Sequence, residues 1–229
     1  MKPLIRGISS MATRLVLADL AAAFEQRSGC AVEFESVGGV DAAKRVQAGE
    51  AFDVVILASD AIAKLAATGH VVMASAVDLV RSSVAVAVHA DAVRPDISSE
   101  DALRRAVLAA RSISVSTGPS GVALAKLFER WGVTDLLEGR VVTPPPGVPV
   151  GSLVASGEVE LGFQQLSELI HVEGITLLGT MPPEVQIITT FTGGVCATST
   201  QPDAVRAMLA FMASPEAADA KRRHGMDPA

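Results

Sequence analysis

Four short turns in this 229-residue chain could bind a negative charge without supplying a positive one. Each places small or polar residues between a β-branched run and a helical pattern: Gly7-Ile8-Ser9-Ser10-Met11, Val37-Gly38-Gly39-Val40-Asp41, Ala58-Ser59-Asp60 and Thr117-Gly118-Pro119-Ser120-Gly121. At a helix start the first backbone N–H groups lack intrahelical acceptors, and the aligned peptide dipoles leave a partial positive charge there. Several such starts facing one ligand can hold an anion by neutral donors. Serine or glycine at one helix start is an ordinary cap or turn, so the repetition carries the signal.

Other chemistries lack their residues. The chain has no Gly-x-x-x-x-Gly-Lys phosphate loop, no Gly-x-Gly-x-x-Gly after the first strand and no Gly-x-Ser-x-Gly elbow, because the second glycine of Gly118-Pro119-Ser120-Gly121-Val122 comes one place early. His70, His89, His171 and His224 are scattered without metal-ligand spacing, and Cys30 and Cys196 read as buried thiols in strand-like contexts. Neither a metal nor a cofactor is expected. With 19 basic and 25 acidic side chains the net charge is −6, which excludes a general nucleic-acid binder.

Positioning these turns requires regular elements. Nearly half the residues are hydrophobic but only 3% aromatic, with no tyrosine, so the core must be aliphatic. Short β-branched runs alternate with helical patterns from Leu4 onward, the signature of a parallel α/β architecture. Leu17, Leu20, Ala21 and Phe24 recur at helical spacing, as do Leu124, Leu127, Phe128 and Trp131, and Val205, Met208, Leu209 and Met212; all three stripes read as core faces. Ser98 with Asp101 resembles a capping box, Ser214 precedes Pro215 as an N-cap, and Lys221, Arg222, Arg223 and His224 suit the negative end of a last helix.

Two long β-rich stretches, Ser82 to Val88 and Val185 to Phe191, read as crossover strands. They divide the chain into a discontinuous lobe of residues 1–81 plus 194–229 and a second lobe of residues 82–193, with the ligand expected in a cleft between lobes. The start Met1-Lys2-Pro3-Leu4-Ile5-Arg6-Gly7 does not read as a secretory signal, so a cytoplasmic location is expected, or a periplasmic one if a leader has been trimmed. No apolar run is long enough to span a bilayer.

Read together, Gly7-Ile8-Ser9-Ser10, Phe24 to Gly29, Gln47 to Val54 and Ser156 to Phe163 resemble the molybdate-type solute-binding proteins of ABC importers over nearly the whole chain. The resemblance implies a two-lobed type II periplasmic-binding-protein fold closing on a small anion, with an ABC-importer permease as partner if the chain is exported. It implies ligand donors at Ser9 or Ser10, at the Gly38-Gly39-Val40 turn, at Ser120 and Gly121, at Gly147 and Val148, and at Gln165. Molybdate binders usually carry a serine run where this chain has Gly38-Gly39, and commonly a tyrosine where it has Gln165, so two hydroxyl donors are missing.

The stretch Leu161 to Leu169, followed by Met181-Pro182-Pro183-Glu184-Val185-Gln186, more closely resembles a subgroup that includes aconitate isomerase. That implies a tricarboxylate ligand and, as the alternative to plain binding, movement of an allylic proton. Such a step needs a base beside its target and fixed donors for the developing charge. Asp41, Asp60 and Glu168 are the base candidates, each also readable as an ordinary helix acid, and Arg45 offers a planar donor fork for a carboxylate or a surface salt bridge.

Overall fold

The computed structural model describes residues 4–145 and 148–229. The chain forms two compact α/β units, Met1–Ser82 with Thr190–Ala229, and Ser83–Thr189.

In the first unit β1 (Leu4–Ser10), α1 (Arg14–Ser28), β2 (Ala31–Val37), α2 (Gly39–Gln47), β3 (Val54–Ala58) and α3 (Ser59–Ala67) follow in strand-helix order. β1 lies between β2 and β3 and is parallel to both, with Ser9 level with Ser36 and with Ile56. The next strand, β4 (Val77–His89), leads into the second unit. There α4 (Glu100–Ala109), β5 (Ile113–Val115), α5 (Pro119–Arg130), β6 (Val141–Val142), α6 (Val150–Ala155), β7 (Leu161–Gln165), α7 (Leu166–Leu169) and β8 (Ile175–Thr180) succeed one another. β5 is parallel to both β6 and β7, while β7 and β8 run antiparallel to β4. The strand β9 (Ile188–Val195) returns the chain to the first unit and pairs antiparallel with β3; α8 (Pro202–Ala213), α9 (Ala218–Arg223) and β10 (Asp227–Pro228) complete it.

All three helical stripes face inward. Leu17, Leu20, Ala21 and Phe24 of α1 pack with Val205, Met208, Leu209 and Met212 of α8 in one core. Leu124, Leu127 and Phe128 of α5 join Val84, Val86 and Phe163 in the second unit, with Trp131 at the margin donating its ring N–H to Glu100 at 2.6 Å. α1 ends where Gly29 turns left-handed at φ 72°, its N–H bonded to the Glu25 carbonyl, a conformation glycine adopts without a Cβ penalty. Both thiols are buried, and Cys196 is pushed up to about 12 by desolvation and the nearby Asp53.

Four local expectations need correction. The second long β stretch begins late: Pro183–Val185 forms a 3-10 turn, and the Gln186 side chain takes the Ile187 N–H and donates to the Met181 carbonyl, so the strand starts at Ile188 and runs on to Val195. Ser99, not Ser98, caps α4 through the Ala102 N–H, because Asp96 holds the Ser98 N–H in the preceding turn. Ser214 makes no cap hydrogen bond; its hydroxyl is buried without a partner among the described residues, before the 3-10 turn Pro215–Ala217. Lys221 is not displayed at the helix end but is only 1% exposed, and burial lowers its pKa.

Candidate functional site

Parallel strands end together and place the following helix starts on one edge, where α/β proteins bind ligands. In the first unit the edge of β1, β2 and β3 carries Ser10, Gly38 with Gly39, and Ser59.

The two serines of β1 differ. Ser9 is fully buried and its hydroxyl shares a hydrogen bond with Ser36 across the strand pair at 2.9 Å. Ser10 is partly exposed; its hydroxyl oxygen accepts the Ala12 N–H, and its carbonyl accepts the Thr13 hydroxyl at 3.0 Å. Ser10 therefore keeps a hydroxyl proton to give, whereas Ser9 braces the strand end.

Gly38 caps α2 in an extended conformation without a side-chain hydrogen bond, and the first intrahelical bond runs from Ala42 N–H to the Gly38 carbonyl. The N–H groups of Gly39, Val40 and Asp41 precede that bond and are the open donors of the turn. Neither glycine has positive φ, and a Cβ would meet only Asp41 Oδ2 at 3.5 Å from Gly38 or Leu57 Cδ2 at 3.9 Å from Gly39. Packing does not require glycine here; its effect is to bare the backbone. Val40 beside it is 55% exposed. At the third strand end, Ser59 donates to the Thr190 carbonyl and meets the Thr192 hydroxyl, both at 3.0 Å.

The second unit repeats the device at β5 and β7. Gly118 and Pro119 open α5, and Ser120, 3% exposed, shares a 2.7 Å hydrogen bond with Ser116 at the end of β5. Here glycine is obligatory at Gly121, whose Cβ would lie 1.7 Å from the Ser116 carbonyl oxygen. Val148 is 36% exposed, but its N–H is spent on the Pro145 carbonyl at 3.0 Å; Gly147 lies outside the described residues. The first turn of α6 is also partly satisfied, since Gly151 N–H donates to Gln164 Oε1 at 3.0 Å.

Gln165 ends β7 at 4% exposure. Its Nε2 donates to the Thr189 hydroxyl at 2.8 Å, and its Oε1 is buried with no partner among the described residues. A hydroxyl can donate as well as accept, so the same contact forms with the amide turned over, which frees the NH₂ as a donor. Gln165 can thus present either polarity to a ligand.

The charged candidates separate cleanly. Arg45 is tied to Glu35 and Glu50 and stacks over Phe52 at 5.2 Å; its hydrogen bonds hold both carboxyls below the usual range. Asp41 and Asp60 are exposed, Asp60 beside Lys64 at 3.4 Å. Glu168 alone of the three is partly buried. Desolvation pushes its carboxyl up to about 7, opposed in part by a 2.9 Å hydrogen bond from Gln164 Nε2. Among the described residues no group of three or more His, Cys, Asp or Glu could hold a metal ion.

Residues 5–227 match the family described as bacterial extracellular solute-binding proteins. The chain belongs to this family. An aconitate isomerase from a Pseudomonas species is 38% identical over 218 residues, spanning 92% of this chain and 82% of that protein. The periplasmic molybdate-binding protein of Azotobacter vinelandii superposes with a TM-score of 0.80 at 20% identity, over 97% of this chain and 98% of its own. The sulfate-binding protein of Mycobacterium tuberculosis H37Rv does so at 0.79 and 20%, over 99% and 87%. The fold is therefore that of the two-lobed periplasmic binding proteins. Within that family frame, Thr192, Ser116, Gln164 and Thr189 are site-edge residues that sequence reasoning leaves unassigned, whereas Ser59 lies in a turn it singles out. Of the four, Ser116 carries a signal, as a polar residue at a strand end.

Proposed function

We propose that this solute-binding protein reversibly holds a small carboxylate-bearing anion through uncharged donors. The observation that carries the reading is the set of open donors at strand ends, the Ser10 hydroxyl and the Gly39-Val40-Asp41 N–H groups, with the neighbouring cation Arg45 already committed to Glu35 and Glu50. Taken by itself, the second unit offers the Ser120 hydroxyl and the invertible Gln165 amide at its strand ends, while the Gly121 N–H is spent on the Gly118 carbonyl at 3.0 Å. Neutral donors fixed by the fold bind an anion without leaving a buried cation unpaired in the empty protein. Bare glycines at Gly38 and Gly39 favour a ligand bulkier than a tetrahedral oxyanion. If the chain works outside the cytoplasm, an ABC-importer permease is the partner this reading calls for; no helix among the described residues is long and apolar enough to cross a membrane.

Titration calorimetry with cis- and trans-aconitate, citrate, molybdate and sulfate tests it. Heat with a tricarboxylate and none with the inorganic anions is expected. Binding of molybdate or sulfate alone overturns the carboxylate assignment, and absence of heat throughout overturns anion binding.

A second reading, isomerisation of a tricarboxylate by allylic proton transfer, is favoured by the 38% identity to an aconitate isomerase over nearly the whole chain. It accommodates a cytoplasmic location, because a metabolite need not be exported to meet the protein.

A further inference from the structure

Glu168 is set apart from the other carboxylates by where it is held. α7 begins immediately after Gln165, so Glu168 lies one helical turn beyond the end of β7. One carboxylate oxygen receives Gln164 Nε2 at 2.9 Å, and Gln164, itself 4% exposed, is fixed at its other end by Gly151 N–H at 3.0 Å in the first turn of α6. The carboxyl is thus oriented by a neutral amide anchored to backbone. No Lys, Arg or His within ion-pair distance compensates it among the described residues, whereas Glu35, Glu50, Glu100 and Glu160 each have an arginine.

The elements around α7 are poor in charge. β7 is Leu-Gly-Phe-Gln-Gln, α6 is Val-Gly-Ser-Leu-Val-Ala and β8 is Ile-Thr-Leu-Leu-Gly-Thr. β4 contributes His89 at its end, and the turn after α7 contributes His171 and Glu173. A purely structural acceptor for Gln164 needs no charge, and a neutral side chain would fill that place at less desolvation cost. A carboxyl kept here without a counter-ion has the makings of a group that exchanges a proton.

Building on the isomerase reading, we infer that Glu168 is the proton carrier for an unsaturated polycarboxylate bound at the strand-end donors of its own unit, Gln165 and Ser120. The ionised carboxylate takes a proton from the methylene carbon next to a substrate carboxylate. The C–H electron pair spreads over the adjacent double bond and carboxylate, forming an allylic carbanion held by the neutral donors. Glu168 returns the proton to the former vinyl carbon, the double bond shifts by one position, and the carboxylate is regenerated. No oxidant, reductant or second substrate is consumed. A carboxyl that ionises near neutrality suits this task, since it is basic enough to accept and acidic enough to return the proton.

The test is proton NMR of the intact chain in D₂O with cis- and trans-aconitate, following conversion, deuterium uptake and saturation transfer. Wild type is expected to convert the isomers at a rate that rises with pH through about 7, as the base ionises. Glu168→Gln preserves an acceptor for Gln164 and is expected to lose at least about a hundredfold in rate while keeping saturation transfer. Glu168→Asp is expected to retain part of the rate. Wild-type conversion by Glu168→Gln overturns the assignment; should that variant fail to fold, a pH-independent wild-type rate overturns it instead. Saturation transfer by wild type with neither conversion nor exchange overturns the proton-carrier inference and leaves the binding function standing. Silence on all three counts removes both.

Discussion

The Gln165 amide and the Thr189 hydroxyl form a 2.8 Å hydrogen bond that leaves the other end of the amide buried and unpartnered among the described residues. The residues are twenty-four positions apart and meet beside the end of β7. A buried polar atom without a partner costs about 1–3 kcal/mol, so the contact stores a demand that a ligand can meet.

Replacing Gln165 by Leu removes that demand along with the ligand contact. Affinity for the anion should fall about ten- to a hundredfold, the value of one hydrogen bond to a charged group, while thermal stability holds or rises. Calorimetry paired with a melting curve checks both. A stability loss with unchanged affinity would show the amide to be structural.

Gly39→Asp separates binding from folding by sign. The space around Gly39 accepts a Cβ, and an acid in the first turn of α2 favours the helix by about 0.3–1 kcal/mol. The same charge repels an anion at the open N–H groups. The expected outcome is a slightly raised melting temperature with ligand binding abolished. Ser120 is unsuitable for an acidic replacement, because at 3% exposure with its hydroxyl on Ser116 a bulky acid would disrupt α5 itself.

Gly121→Ala is the opposite case. Its Cβ would approach the Ser116 carbonyl to 1.7 Å, which the backbone must move to relieve. Overpacking of this kind costs about 1–3 kcal/mol or more, so urea unfolding should show a clear loss of stability without any ligand present.

Stability should also depend on Glu168. Its folded pKa, about 7, lies above the value of 4.5 for a free carboxyl, so the folded protein binds the extra proton. The associated stability is fully present below about pH 4.5 and is lost as pH rises through about 7, by up to about 3 kcal/mol. Glu168→Gln should flatten this decline in a series of urea melts. An unchanged pH slope in the variant would show that another group is responsible.

Much of the architecture is legible because it is local. The stripe Leu17, Leu20, Ala21 and Phe24 needs only helical period to declare its buried face, and Gly38-Gly39 at the start of α2 declares a bare helix start from two residues. The strand-turn-helix rhythm likewise places Ser10, Gly39 and Ser120 at strand ends, since a strand followed by a helix leaves its connecting turn at the edge of the sheet. The same local reasoning misplaces the α4 cap and the start of β9, where Asp96 and Gln186 compete for backbone N–H groups that pattern alone assigns to the helix or strand.

Tertiary structure decided which of these groups are available. Ser9 and Ser10 are indistinguishable as letters, yet Ser9 is sealed against Ser36 from another strand while Ser10 keeps a proton to donate. Arg45 reads as a carboxylate fork until Glu35 and Glu50 occupy it. Lys221 sits in a run of basic residues and is nonetheless buried. Glu168 resembles any helix acid until Gln164 orients it and burial raises its pKa. Sequence determines a side chain's chemistry and its place in a turn of helix or strand, whereas its solvation and its partners depend on segments distant in the chain, which only packing brings into contact.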